Sequence, residues 1–201
     1  MLIRLSRTQV TIAGADALAA ARAFFQANRH LPLPGFFGPD LLEIVQRQLR
    51  IAPFKTRVAN LVDPPAVDLK LDDALLQGSL RWLLNEQSVR HAIRGVTGIQ
   101  SEAFGGGVYR IAAGQGHLDS WHDDLDGRRS VGITINLTEG VFEGGELQMR
   151  EKGSEDLLWR FANTGAGDGL LFAIGESLEH CIAPMKGSIP KTALAGWFSP
   201  R

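Results

Sequence analysis

From Gly95 onward the chain changes texture, and that change restricts its fold more than any other feature. Short β-prone runs follow one another over 103–112, 129–137, 146–150, 159–161, 169–173, 178–182 and 190–198, separated by Gly and Asp. Helical stripes precede these runs instead of alternating with them. That order favours a sandwich or barrel over a doubly wound parallel sheet. Gly144-Gly145 and the segment 165–169 read as turns, and no internal repeat or low-complexity stretch interrupts the pattern.

The preceding 95 residues read as mainly helical. The Ala-rich run 17–28 contains Phe24 and Phe25, with Asp16 a candidate cap. Pro32 and Pro34 must end it, because proline cannot continue a helix. Pro39 and Asp40 open a second helix with Leu41, Leu42, Ile44, Val45 and Leu49 as its stripe. Pro64-Pro65 marks a loop. Asp72 or Asp73 is placed to cap a third helix, in which Leu76, Leu80, Leu83 and Leu84 share a face, and a short fourth runs from Ser88 through Ile93. Such stripes require a partner surface. The expectation is an α+β, mainly β chain: one domain over 1–201, with a helical support region at 1–95 and a β core at 96–201.

The charge is nearly balanced, with 21 Lys+Arg against 22 Asp+Glu, and no basic run suggests nucleic acid. No apolar run nears the roughly 18 residues of a membrane span, and the N-terminus lacks a secretory pattern. The single Cys181 excludes an internal disulfide and a thiolate zinc cluster. A cytoplasmic monomer or homodimer is expected.

Two runs carry a second message in their alternation. In 129–137 one face is Val131, Ile133, Ile135 and Leu137, and the other is Ser130, Gly132, Thr134 and Asn136. The first should pack on helices and the second should line something wetter than a core. In 191–198, Lys191 shares its face with Ala193, Ala195 and Trp197. Lysine is rarely buried unpaired, so two readings stand: an edge strand with Lys191 in solvent, or Lys191 inside a cavity.

Chemistry concentrates in His122, Asp124 and His180. Two imidazoles and one carboxylate can occupy one face of an octahedral ion and leave the other open, the donor set of non-heme Fe(II) oxygenases. On an extended segment His122 and Asp124 point to one side and Asp123 to the other. His-x-Asp alone is a weak signal, and His30, His91 and His117 read as structural.

The ordered set is more specific: Tyr109, His122-x-Asp124, Gly144-Gly145-Glu146-Leu147, His180, Lys191 and Gly196-Trp197-Phe198. Over roughly residues 100–200 this order resembles the Fe(II)/2-oxoglutarate-dependent dioxygenases, in particular their prolyl 4-hydroxylase-like branch. The stretch Leu33-Pro34-Gly35-Phe36-Phe37 also looks like that family's lead-in. The resemblance implies a double-stranded β-helix, or jelly roll, with helices bracing its larger sheet. It implies His122, Asp124 and His180 as Fe(II) ligands, and Lys191 as the cation paired with the distal carboxylate of 2-oxoglutarate. That role settles the Lys191 alternative in favour of the cavity. Tyr109 and Asn136 match cosubstrate contacts, Thr134 and Trp197 match cavity wall, and Cys181 should face away from iron as a buried thiol. Arg128 and Arg129 flank the metal loop, where they could meet an anionic substrate. O2 is the co-reactant and ascorbate a candidate reductant. Asp124 favours hydroxylation over halogenation, since halogenating relatives carry a small residue there. The implied reaction is C–H hydroxylation, with a prolyl residue of a protein or peptide as one substrate class and a free amino acid or small metabolite as the alternative. A non-enzymatic, cupin-like metal-binding module is the third reading.

Overall fold

The computed structural model describes residues 1–59, 64–125 and 129–200. In chain order its elements are β1 (Ile3–Leu5), β2 (Val10–Ile12), α1 (Ala15–Asn28), β3 (His30–Leu33), α2 (Pro39–Ile51), β4 (Phe54–Ala59), β5 (Ala66–Leu71), α3 (Ala74–Leu84), α4 (Gln87–Thr97) and β6 (Ala103–Ile111). There follow β7 (Asp119–His122), β8 (Val131–Asn136), β9 (Glu143–Gly144), β10 (Leu147–Glu151), β11 (Leu157–Phe161), β12 (Gly169–Ala173), β13 (Leu178–Ile182), β14 (Met185–Lys186) and β15 (Lys191–Ser199).

The helices start where local chemistry allows. Asp73 caps α3 by accepting from the Leu76 N–H at 2.9 Å, and the Glu86 carboxylate caps α4 through Ser88 and Val89. Pro39 begins α2 directly after Gly38. Asp16 does not cap α1: it lies inside the first turn, where a carboxylate meets the positive end of the helix dipole.

Two main antiparallel sheets form. The larger runs β3-β12-β8-β15-β6-β5-β4 and the smaller β11-β10-β13-β7. One face of β8 (Val131, Ile133, Ile135), continued by Leu137, joins Leu194, Phe198 and Val108 in a core completed by helix residues such as Phe25, Leu41, Leu80 and Ile93. β12 is apolar on both faces. Its Leu171 and Ala173 enter this core, while Leu170 and Phe172 meet Leu147 and Met149 of the smaller sheet.

Three strands of the larger sheet come from the region read as helix and loop. β3 holds Pro32 yet pairs with β12, with Pro32 opposite Leu170. It lies at the edge of the sheet, where a missing N–H leaves no ladder bond unmade. β4 and β5 form the other edge, and their charged residues Lys55, Arg57, Asp68 and Lys70 hid the strand pattern from an apolar count. Among the described residues no helix is long and apolar enough to cross a membrane.

Candidate metal centre

His122 ends β7 and His180 sits within β13, and the two are register partners across that pairing. Asp124 lies two residues past the end of β7 with φ 57°, in the left-handed region. The His-x-Asp pair therefore converges through a reversed backbone instead of extended alternation, and Asp is among the residues that tolerate that conformation. Asp123 turns away to Lys152 Nζ at 2.7 Å.

One donor atom from each of His122, Asp124 and His180 fits within 4.8 Å of the others. Asp124 Oδ1 is 3.7 Å from His122 Nε2, and Asp124 Oδ2 is 3.2 Å from His180 Nε2. His122 donates Nδ1–H to the Ser120 carbonyl at 2.6 Å, which turns Nε2 toward Asp124 as the nitrogen that a metal would take. The Asp124 carboxylate also accepts from Arg129 Nη1 at 3.1 Å on Oδ1 and from the Trp197 indole N–H on Oδ2. Burial opposes charge on both partners, but their attraction across 3.7 Å, with Asp119 on the other side of His122, wins. It raises the His122 imidazole to about 9, and with His180 it holds the Asp124 carboxyl far below the usual range. With the His122 Nε2 proton displaced by the ion, two imidazoles and one carboxylate grouped on one side with space opposite suit a divalent ion such as Fe(II).

The space opposite is a cavity of about 190 Å³ between the two sheets. Lys191, Ala193, Ala195 and Trp197 of β15 and Thr134 of β8 all line it, as alternation along those strands requires. Lys191 is buried, with 5% of its surface exposed. Gly144 and Gly145 both take positive φ, and their turn aims the Gly145 carbonyl at Lys191 Nζ, 2.7 Å away. Burial pushes the Lys191 ammonium down to about 8. Tyr109 also lines the cavity under the Arg57 guanidinium, 4.6 Å from the ring centroid, and burial pushes its phenol up.

Asn136 departs from its expected place. It is 1% exposed and is not part of the cavity lining. Its amide donates to the Gly165 carbonyl at 3.1 Å and accepts from the Thr138 N–H at 2.9 Å, so a turn consumes the side chain. Trp197 combines the expected wall position with its bond to Asp124, and Arg129 stacks over its indole at 3.8 Å. Arg128 lies outside the described residues. Cys181 is buried on the opposite side of β13 from His180, near Gln148, and burial pushes its thiol up to about 12. His30 packs between Phe24 and Trp159, His117 Nδ1 accepts from the Ala112 N–H, and His91 is exposed on α4.

Sequence reasoning missed Arg57, Asp68, Asp119 and Phe172, all in the cavity wall. Strict alternation back from His122 puts Asp119 on the far face. A register shift between His180 and Ile182 in the β13–β7 pairing brings it round, and its Oδ1 lies 3.7 Å from His122 Nδ1.

No protein-family model and no curated protein matches the chain. Solved structures do, and the fold is that of structures of 2OG-Fe(II) oxygenases. One is an oxidoreductase of that family from Burkholderia pseudomallei, with TM-score 0.67 and 16% identity over 98% of this chain and 95% of that one. Another is a prolyl-4-hydroxylase from Pseudomonas putida, with TM-score 0.66 and 22% identity over 92% and 99%. A third is a prolyl hydroxylase from Trichoplax adhaerens in complex with a hypoxia inducible factor oxygen degradation domain peptide fragment, with TM-score 0.67 and 15% identity over 92% and 90%.

Proposed function

We propose that this chain is an Fe(II)/2-oxoglutarate-dependent dioxygenase that hydroxylates an unactivated C–H bond, with a prolyl residue of a protein or peptide as substrate. The observation that carries the reading is the pairing of two features in one cavity. His122, Asp124 and His180 converge at one end, and a buried lysine, Lys191, lines the same space. Among the described residues Lys191 Nζ makes a hydrogen bond to the Gly145 carbonyl and no ion pair, so a ligand carboxylate suits it as a partner, which argues against a cupin-like module. The likeness to prolyl hydroxylase structures supports the substrate class.

The strand order supports a double-stranded β-helix. Numbering β6, β7, β8, β10, β11, β12, β13 and β15 from one to eight, the centre of the larger sheet runs six-three-eight-one and the smaller sheet five-four-seven-two. Successive strands thus alternate between sheets, apart from the four-five hairpin.

Iron bound by the triad would supply the oxidising chemistry that couples decarboxylation of 2-oxoglutarate to insertion of oxygen into the substrate C–H bond. The chain's own work is placement. His122 and His180 present Nε2 atoms, and Asp124 contributes one negative charge while Trp197 and Arg129 hold its oxygens. Lys191 binds the distal carboxylate as a point charge, and Ala193 and Ala195 leave room in front of it. Tyr109 and Trp197 wall the space that substrate enters, and the apolar Leu147, Ile182 and Phe172 keep it dry.

The test is anaerobic addition of Fe(II) and then 2-oxoglutarate. A visible charge-transfer band in the wild type that is lost in His180→Ala is expected. Tight binding of metal with no band would overturn the cosubstrate assignment. Peptides that gain one oxygen only with 2-oxoglutarate, read by mass spectrometry, then test the substrate class.

A further inference from the structure

The two histidines of the triad are held in different ways. His122 is fixed by the hydrogen bond from Nδ1 to the Ser120 carbonyl. His180 makes no hydrogen bond through Nδ1 among the described residues, although metal-binding imidazoles ordinarily anchor that nitrogen. Its ring instead packs against Phe172, with centroids 4.8 Å apart and planes at 59°, and against His122 at 4.3 Å. Phe172 comes from the opposite sheet and is 5% exposed.

Phe172 can reach His180 only because of Gly132. The two are register partners across β12 and β8. A Cβ added at Gly132 would lie 2.1 Å from Phe172 Cζ and 2.3 Å from Cε2. The backbone at Gly132 is not in the left-handed region. Glycine interrupts the β-branched run from Val131 to Ile135 for space and not for conformation.

We infer that Phe172 is a positioning residue for the metal ligand His180, with Gly132 providing the room that lets its ring lie against the imidazole. The inference rests on the metal reading above, and the test separates the two. Co(II) is titrated calorimetrically into the wild type and into Phe172→Leu, Gly132→Ala and their double variant, each checked for native circular dichroism. Loss of a partner that orients a ligand costs about tenfold or more in metal affinity, so each single variant should bind Co(II) about tenfold more weakly. The double variant should be no weaker than Phe172→Leu alone, because without the ring the new methyl has nothing to displace. A merely structural role is separated by His180→Ala, in which Phe172→Leu should leave the residual affinity unchanged. Phe172→Met, which fills the space without an aromatic face, repeats the comparison if Gly132→Ala does not fold. Wild-type affinity in Phe172→Leu and Phe172→Met, or an equal loss in the His180→Ala background, would overturn the inference. A wild type that binds no Co(II) would overturn the metal reading itself.

Discussion

Trp197 donates its indole N–H to Oδ2 of Asp124, so the last strand of the larger sheet holds the carboxylate of the candidate metal centre. The indole is itself covered by Arg129, whose Nη1 takes the other oxygen of the same carboxylate. Trp197→Phe keeps most of the wall and removes the donor. It should weaken Co(II) binding about 10-fold, in the range found for lost outer-shell partners. Calorimetric affinity unchanged from the wild type would show that Arg129 alone suffices.

Under the proposed function, Lys191 should make cosubstrate binding dependent on pH. Its ammonium loses its proton near 8 in the empty cavity, and only the charged form pairs with a carboxylate. The dissociation constant for 2-oxoglutarate should be flat below that value and rise about tenfold per unit above it. Lys191→Met should bind more weakly and remove this limb. Tryptophan fluorescence titrations on the Mn(II)-loaded protein from pH 6.5 to 9.5 read both.

The same lysine affects folding. Its folded value of about 8 lies below the ordinary 10.5, so the unfolded chain holds the proton more tightly between those two values. At neutral pH the charged lysine therefore carries a burial penalty on the order of 3 kcal/mol, at 1.36 kcal/mol per unit. The penalty is relieved as pH climbs from 8 to 10.5. Lys191→Met should be more stable than wild type by roughly 1–3 kcal/mol at pH 7, with the gap closing at pH 10 in urea melts.

Arg57 and Asp68 tie the β4–β5 edge to the cavity, with Nε donating to Oδ1 at 2.9 Å and Nη2 to Oδ2. Asp68 is buried and Arg57 is about one-third exposed, so removing the carboxylate strands a partly screened cation. Asp68→Ala should cost about 2 kcal/mol, below the 3–5 kcal/mol of a fully buried pair. Arg57→Met with Asp68→Leu should recover most of that in chemical denaturation.

Much of the β region was legible because alternation and position reinforce one another there. The runs 169–173 and 178–182 match β12 and β13 end to end, and Lys191 lies on the face its alanines indicated. What stayed hidden depended on contacts between distant residues. β4 and β5 carry charge on the side that faces the cavity, so no apolar count could register them. Asp119 needed a register shift, and Phe172 looked like any apolar residue of a buried strand until Gly132 supplied its reason. Asn136 misled for the opposite reason: its polar face was read correctly, but the turn at Gly165 takes the amide first.

The left-handed backbone at Asp124 separates what the fold requires from what the site requires. An ordinary side chain costs about 1–2 kcal/mol in that conformation and glycine almost nothing. Asp124→Gly relieves any such backbone cost but removes the acceptor of the Trp197 indole N–H and the carboxylate between two imidazoles, so it is expected to fold less stably than the parent while losing one donor of the triad. Position 124 thus joins a backbone that suits glycine to contacts that need a carboxylate, and there the site, not the conformational preference of the chain, sets the residue.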